Sequence, residues 1–242
     1  MLPPRLDKRA PTDMFLAMLQ GAPIVVKIGP TIDGISLQTY VLPKSLLACN
    51  STFFRDEFKK ATKDTVINSI DLPDVDPVQF GFFIYFLYRG GYHYSRDKEA
   101  ATAGELILPS IKAYTMGDKL GAKSFMDQVM LHVYHDLGKL FSITPKLMEW
   151  TQVNSPPTSK LRELFVDALI MHWGKNNNVV RHGKETEEEW SILFDQHQDL
   201  RKEFIFGLKG DVRVKRYEEY CVGIGAERVL PAKVVRFKEE TP

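Results

Sequence analysis

The densest run of apolar residues in the chain follows Asp76 and predicts a helix that is buried on most of its sides. Asp76 is suited to cap the first turn, Pro77 to occupy the first helical position, and Arg89-Gly90-Gly91 to end the helix. One face carries Phe80, Phe83, Ile84 and Leu87, and the remaining sides carry Phe82, Tyr85, Phe86 and Tyr88. The run is about a dozen residues long, well short of the roughly 20 that a membrane span needs, so it indicates a core helix.

The segment before this helix predicts a small sheet with short helices around it. A helix from Asp13 to Gln20 would place Phe15, Met18 and Leu19 on one side. Runs of β-branched residues and period-two patterns predict strands over 24–28, 37–42 and 65–72. Residues 44–48 and 52–60 have helical spacing between the second and third strands.

The segment after the central helix predicts mostly helices. Tyr92 to Tyr94 has the pattern of a short edge strand, and the charged stretch 95–104 that of an exposed loop. Two apolar stripes, one from Ile107 to Leu120 and one from Phe125 to Leu137, then predict paired helices. The order of elements predicts an α+β domain in which a small sheet caps a helical cluster.

The last hundred residues predict an all-helical extension followed by a tail. Helical stripes recur between 141 and 208, and Thr186 with Glu189 fits a capping box. The tail contains Val212 and Val214 and, further on, Val234, Val235 and Phe237, which hint at short strands, and it carries more basic than acidic residues. We interpret it as a solvated arm rather than a binding arm. The predicted divisions are a leader with a short helix (1–20), an α+β domain (21–138), a helical extension (139–208) and a C-terminal tail (209–242).

Composition narrows the possible partners. The formal net charge is +1, so nothing global favours nucleic acid or an anionic membrane. The chain has two cysteines, which do not form a disulfide framework and indicate a reducing compartment. The N-terminus lacks the apolar core of a signal peptide. We therefore expect the protein in the cytoplasm, the nucleus or both.

No pattern in the chain predicts a reaction centre. His132 and His135 could share a metal from one helical face, but no neighbouring Cys, Asp or Glu completes a known spacing, and two surface or half-buried histidines are the favoured interpretation. Cys49 lies in an apolar helix and is interpreted as a small core residue. The sequence contains no hydrolase elbow, no zinc-protease motif and no phosphate-binding loop. We predict no catalytic residue, no cofactor, no metal and no small-molecule substrate.

Three stretches, in this order and spacing, resemble BTB/POZ domains. They are residues 40–47 with 51–54, residues 70–77 with Phe80 and 86–90, and residues 113–121. The resemblance covers about residues 21–138, and residues 158–167 look like the extension of stand-alone fungal BTB proteins. It implies the BTB/POZ (Skp-like) fold and a protein-interaction module, often a homodimer and sometimes an adaptor for cullin ubiquitin ligases.

The resemblance also points to residues of a possible interaction surface. In dimeric members an aspartate before the first strand pairs with a basic residue; here Pro23 stands at that position, while the basic partner, Lys44, is present. Phe15, Met18 and Leu19 match an apolar dimer helix. Cullin-binding members carry a large apolar residue two positions before a glutamate, where this chain has Thr62 and Asp64.

The sequence therefore favours a non-enzymatic adaptor or scaffold that acts by self-association or by binding protein partners. One alternative is a substrate adaptor of a cullin-type ubiquitin ligase. A second alternative, from another class, is a nucleic-acid-associated regulator that uses the basic C-terminal tail.

Overall fold

The computed structural model describes residues 12–32, 35–60, 67–92, 95–102, 104, 107–175, 177–184, 186–210 and 212–223. In chain order the elements are α1 (Thr12–Leu19), β1 (Pro23–Ile32), β2 (Ile35–Pro43), α2 (Lys44–Asn50), α3 (Thr52–Lys59), β3 (Ser69–Leu72), α4 (Pro77–Arg89), α5 (Ser95–Thr102), α6 (Pro109–Lys119), α7 (Lys123–Asp136), α8 (Pro145–Asn154), α9 (Lys160–His172), α10 (Glu187–Gln196), α11 (Gln198–Lys209) and a 3₁₀ helix (Tyr217–Tyr220). The predicted α+β class, with a small sheet and a larger set of helices, is confirmed. None of the helices in these ranges is both long enough and apolar enough to cross a membrane.

The sheet has the strand order β2-β1-β3. The first two strands form an antiparallel pair, and β3 lies parallel to β1 with Val26 opposite Ile70. The parallel pair requires a crossover, which α2 and α3 supply. Ile24, Val26 and Ile28 alternate with less buried residues and are at most 1% exposed, so one face of β1 lies in the core.

The central helix α4 has the ends that the sequence predicts. The Asp76 carboxylate accepts hydrogen bonds from the backbone amides of Val78 (2.7 Å) and Gln79 (3.3 Å). Gly90 ends the helix with φ of 71°, a left-handed conformation that glycine adopts without strain. Phe80 and Phe83 are fully buried. The helix is nevertheless not enclosed on all sides, because one stripe is open to solvent.

Three predictions in this region need correction. Val78, Tyr85 and Tyr88 are each more than 40% exposed, so the expectation that α4 is buried on nearly every side is wrong for this stripe. The stretch 95–104, predicted as a loop, contains α5. It is a helix because Ala100 packs into the core and the buried Asp97 anchors it to α6, contacts that a polar sequence does not reveal. Tyr92 belongs to no strand, and the rest of that predicted edge strand, residues 93–94, lies outside the described residues.

Helices α8 to α11 lie within the predicted helical extension and share its aromatic core. The Trp173 ring lies 5.2 Å from that of Trp190 and 4.9 Å from that of Phe204, and Phe141 joins Phe165 at 6.1 Å. The predicted capping box of α10 is wrong, because the Thr186 hydroxyl donates to the Gly183 carbonyl instead of accepting from its own helix. The domain boundaries stay a prediction.

Part of the C-terminal tail packs against the rest of the protein. Tyr217 and Tyr220 are buried, so the prediction of a solvated arm is wrong for residues 212–223, which we call the C-terminal strap. The Tyr217 hydroxyl donates to the Asp127 carbonyl (2.7 Å) and the Tyr220 hydroxyl to the Asp167 carboxylate (2.8 Å). Val212 and Val214 lie in the strap but in no strand, because the amide of Val214 donates to a methionine sulfur. These contacts join residues that are far apart in the sequence, so no local sequence pattern predicts them. The other residues of the predicted strands, Val234, Val235 and Phe237, lie outside the described residues.

Replacing Phe83 by alanine should destabilise the protein by about 3–5 kcal/mol, because it empties a fully buried ring site between Phe80, Phe86 and Phe125. Tyr88→Ala is the matched control on the same helix, and its exposed ring should cost less than about 1 kcal/mol. Urea denaturation followed by circular dichroism measures both. Equal losses for the two variants would contradict the assignment of Phe83 to the core.

Candidate functional site

The first helix leaves most of its apolar side chains incompletely covered. Residues 14–19 are all apolar, yet of the side chains described from 15 to 19 only Met18 is buried, at 5% exposed. Leu16 is 48% exposed, and Phe15 and Leu19 are half-buried. A helix of this length is not stable by itself in water, so its contacts with the rest of the chain must hold it.

Two features hold α1 against α2. The Ser45 hydroxyl donates a hydrogen bond of 2.5 Å to the carbonyl of Met18, close to the C-terminal end of α1. Gly21 follows directly, and any side chain at this position would collide with the Ser45 hydroxyl. Glycine at this position thus leaves room for the Ser45 hydroxyl to reach the Met18 carbonyl, and in this packing Met18 is buried and Leu16 is at the surface.

The structure brings Phe15, Met18 and Leu19 together on α1, as predicted, but it gives them different surroundings. Met18 is buried against the rest of the chain, while Phe15 and Leu19 are half-buried beside the exposed Leu16. Sequence analysis missed Leu16, the most exposed of the large side chains that are described in this helix. The continuous apolar run over 14–19 was the available indication, since a run without polar breaks leaves apolar residues on both faces.

Lys44 lies at the first position of α2, and its contacts are within the chain. Its ammonium group donates to the Ile67 carbonyl at 2.6 Å and lies 5.9 Å from the centre of the Phe58 ring. Its backbone amide donates to the Ala22 carbonyl, next to the exposed Pro23. Lys44 thus ties α2 to the segments before β1 and β3. A role for Lys44 between protein chains stays a prediction.

The other two predicted surface residues, Thr62 and Asp64, lie outside the described residues. The cullin alternative depends on these two positions, so it stays a prediction as well.

The titratable groups among the described residues have structural explanations. His132 is half-buried and His135 exposed, and no cluster of three or more His, Cys, Asp or Glu side chains that could hold a metal occurs in the described ranges. Burial raises the pKa of the Cys49 thiol, and burial also raises the pKa of Cys221 to about 11. Both thiols are therefore protonated at neutral pH, which makes them poor nucleophiles.

Asp97 has the most unusual carboxyl group among these residues. It is 1% exposed, and burial raises its pKa from 3.8 to about 6. One carboxyl oxygen accepts the backbone amide of Ser110 at 2.8 Å, near the start of α6, where helices leave amides without intrahelical partners. The other oxygen has no hydrogen-bond partner among the described residues. This carboxyl is thus a long-range helix cap that joins α5 to α6.

Part of the chain described above matches a known domain family. A family model described as the BTB/POZ domain matches residues 37–116, from β2 through most of α6. No curated protein matches the chain. The chain therefore contains a BTB/POZ domain, and its sheet with the surrounding helices fits that fold. BTB/POZ domains are generally modules for protein–protein interaction rather than enzymes, which indicates an interaction or adaptor role for this chain.

The Asp97 carboxyl should make stability fall as pH rises from about 4 to about 6. Its folded pKa lies above its unfolded value, so its contribution is complete below pH 3.8 and is lost as pH rises through about 6. Asp97→Asn keeps an oxygen for the Ser110 amide and has no charge, so it should be more stable than the unmodified protein at pH 7 by about 1–2 kcal/mol.

Urea denaturation at pH 4.5 and pH 7 measures this difference between the two proteins. Because the comparison is between variants, other carboxyl groups contribute equally to both and cancel. A difference in unfolding free energy that is the same at both pH values would show that Asp97 titrates normally in the folded state.

Proposed function

We propose that the protein is a non-catalytic adaptor or scaffold whose BTB/POZ domain pairs with a second copy of the chain through α1. The single observation that carries the proposal is the incomplete burial of the apolar run over 14–19, with Leu16 about half exposed. Exposed apolar side chains that lie together on one element are typical of surfaces that a partner covers. The BTB/POZ match supports a protein as that partner.

A second copy is favoured because a two-fold interface places the same residues opposite each other. Leu16, Phe15 and Leu19 of one chain would meet their equivalents, and no complementary charge would be required. Lys44 fits this arrangement, since its ammonium group already has a carbonyl acceptor in its own chain. An interface of this kind would be apolar, and it would not need the acidic partner that Pro23 replaces.

Replacing Leu16 by aspartate should dissociate the dimer, because a charge in an apolar interface loses its hydration without gaining a partner. We expect the dissociation constant to rise at least about tenfold. Val153→Asp is the matched control, since Val153 is 72% exposed on α8 and far along the chain from α1. Light scattering coupled to size-exclusion chromatography over a range of concentrations measures the mass of each protein.

The expected result is a dimer for the unmodified chain and for Val153→Asp, and a monomer for Leu16→Asp with an unchanged far-ultraviolet circular dichroism spectrum. A monomeric unmodified chain at tens of micromolar would exclude self-association of useful strength. A Leu16→Asp variant that remains dimeric would place the interface elsewhere.

A further inference from the structure

A cleft in the helical extension combines positive charge with a fixed backbone. It lies between the segment before α8 and the loop that follows α9, and its volume is about 400 Å³, within the range of small-molecule sites. The polar side chains that line it are Ser142, Lys175, Asn177, Asn178, Arg181 and His182. The cleft lies outside the BTB/POZ match and away from α1 in sequence.

Hydrogen bonds hold the backbone of the cleft on both sides. The amide of Ile143 donates to the Val179 carbonyl (2.7 Å), and the amide of Arg181 donates to the Ile143 carbonyl (2.9 Å). The Arg181 carbonyl in turn accepts the indole N–H of Trp190 at 3.1 Å. Both backbone groups of Arg181 are thus bonded, so its backbone is held at the cleft before any ligand arrives. Such preorganisation reduces the entropy that binding costs.

The charges in the cleft are not balanced within it. Lys175 and Arg181 form no ion pair with any described residue, and no Asp or Glu side chain lines the described walls. The ring of His182 lies 5.7 Å from that of Trp173, which places a third nitrogen-bearing group at the rim. Two exposed cations that line the same concave surface give it a positive potential.

We propose that this cleft binds a single phosphate monoester group. A guanidinium fork can donate two parallel hydrogen bonds to phosphate oxygens, and a lysine supplies a second charge. The carboxamide N–H groups of Asn178 offer uncharged donors of the kind that complete such a shell, while the carboxamide nitrogen of Asn177 is hydrogen-bonded to His172 Nδ1 at 2.9 Å. A phosphate monoester carries close to two negative charges at neutral pH, which matches two cations.

Nucleic acid is a poorer match than a monoester. Each phosphodiester carries one charge, and affinity for a strand comes from many cations along a track rather than from two in a cleft. The group could be carried by a phosphorylated side chain of a protein or by a small phosphorylated molecule, because both present the same three oxygens. The inference does not depend on self-association through α1.

The 242-residue chain should bind inorganic phosphate at roughly millimolar concentration and a phosphoserine peptide or a small phosphorylated sugar more tightly. Isothermal titration calorimetry measures each probe, and the fluorescence of Trp173, next to His182, gives an independent reading. Arg181→Gln and Lys175→Gln should each weaken phosphate binding about tenfold or more, because each removes a charge-assisted hydrogen bond. Lys209→Gln is the control, with the same loss of charge on the exposed surface of α11.

The probes also separate the two sources. Tighter binding of the phosphoserine peptide than of both the sugar phosphate and the unphosphorylated peptide supports a protein-borne group, and the reverse order supports a small molecule. The proposal is overturned if no phosphate probe binds, or if Lys209→Gln weakens binding as much as the cleft variants. It is also overturned if a single-stranded DNA oligonucleotide binds at least as tightly as the monoesters and loses affinity in the cleft variants.

Discussion

Aromatic rings from three other elements pack against the rings of α4, and these contacts position those elements around the helix. Tyr40 of β2 and Phe54 of α3 approach Phe80 at 5.7 and 6.5 Å, while Phe125 of α7 approaches Phe83 at 5.5 Å. Each buried ring removes a large apolar area from water, so β2, α3 and α7 pack against α4 and cover these rings. The packing that results leaves the N-terminal helix at the edge, where it shares only part of the core.

That peripheral position explains how the fold produces a candidate interface. Met18 enters the core, and the hydrogen bond from Ser45 fixes the rotation of α1, so the opposite side of the helix must face outwards. Because residues 14–19 are apolar throughout, any rotation that buries one side exposes hydrophobic residues on the other. The exposure of Leu16 is thus a consequence of composition and of one fixed contact.

Local signals predicted the elements whose ends and faces are set locally. The cap at Asp76, the stop at Gly90 and the aromatic run between them define α4 within fifteen residues of sequence. Strand β1 was similarly visible as a β-branched run. Sequence analysis failed at α5, because this helix depends on Asp97 meeting the Ser110 amide of another helix. It also failed at Thr186, whose hydroxyl donates to the nearby Gly183 carbonyl, a competing local hydrogen bond that the capping-box pattern does not exclude. The surface role of Leu16 depends on helix rotation, which periodicity alone does not provide.

The C-terminal strap also depends on residues that are far away in the sequence, and it joins α7 and α9, whose buried residues belong to one core. The Asp127 carboxylate on α7 accepts the amides of Val222 at 2.7 Å and Gly223 at 2.9 Å, so it is bound by residues almost a hundred positions later. A side chain at Gly223 would collide with that carboxylate, which makes glycine necessary for the contact. The strap also contains Lys215, which pairs with Glu163 and Asp167 on α9.

The strap therefore connects α7 with α9. Its amides bind the Asp127 carboxylate on α7, and its Lys215 pairs with carboxylates on α9. Lys215 is one of the basic residues that suggested a nucleic-acid-binding tail, and its ammonium group is engaged by two carboxylates. A cation held in this way has little attraction left for a phosphate backbone, since its charge is compensated at short range. Lys175 and Arg181 form no ion pair with a described residue, so no acidic side chain compensates their charge at the cleft in this part of the chain. Among the described residues, local pairing rather than the number of basic residues thus decides where an anion is attracted.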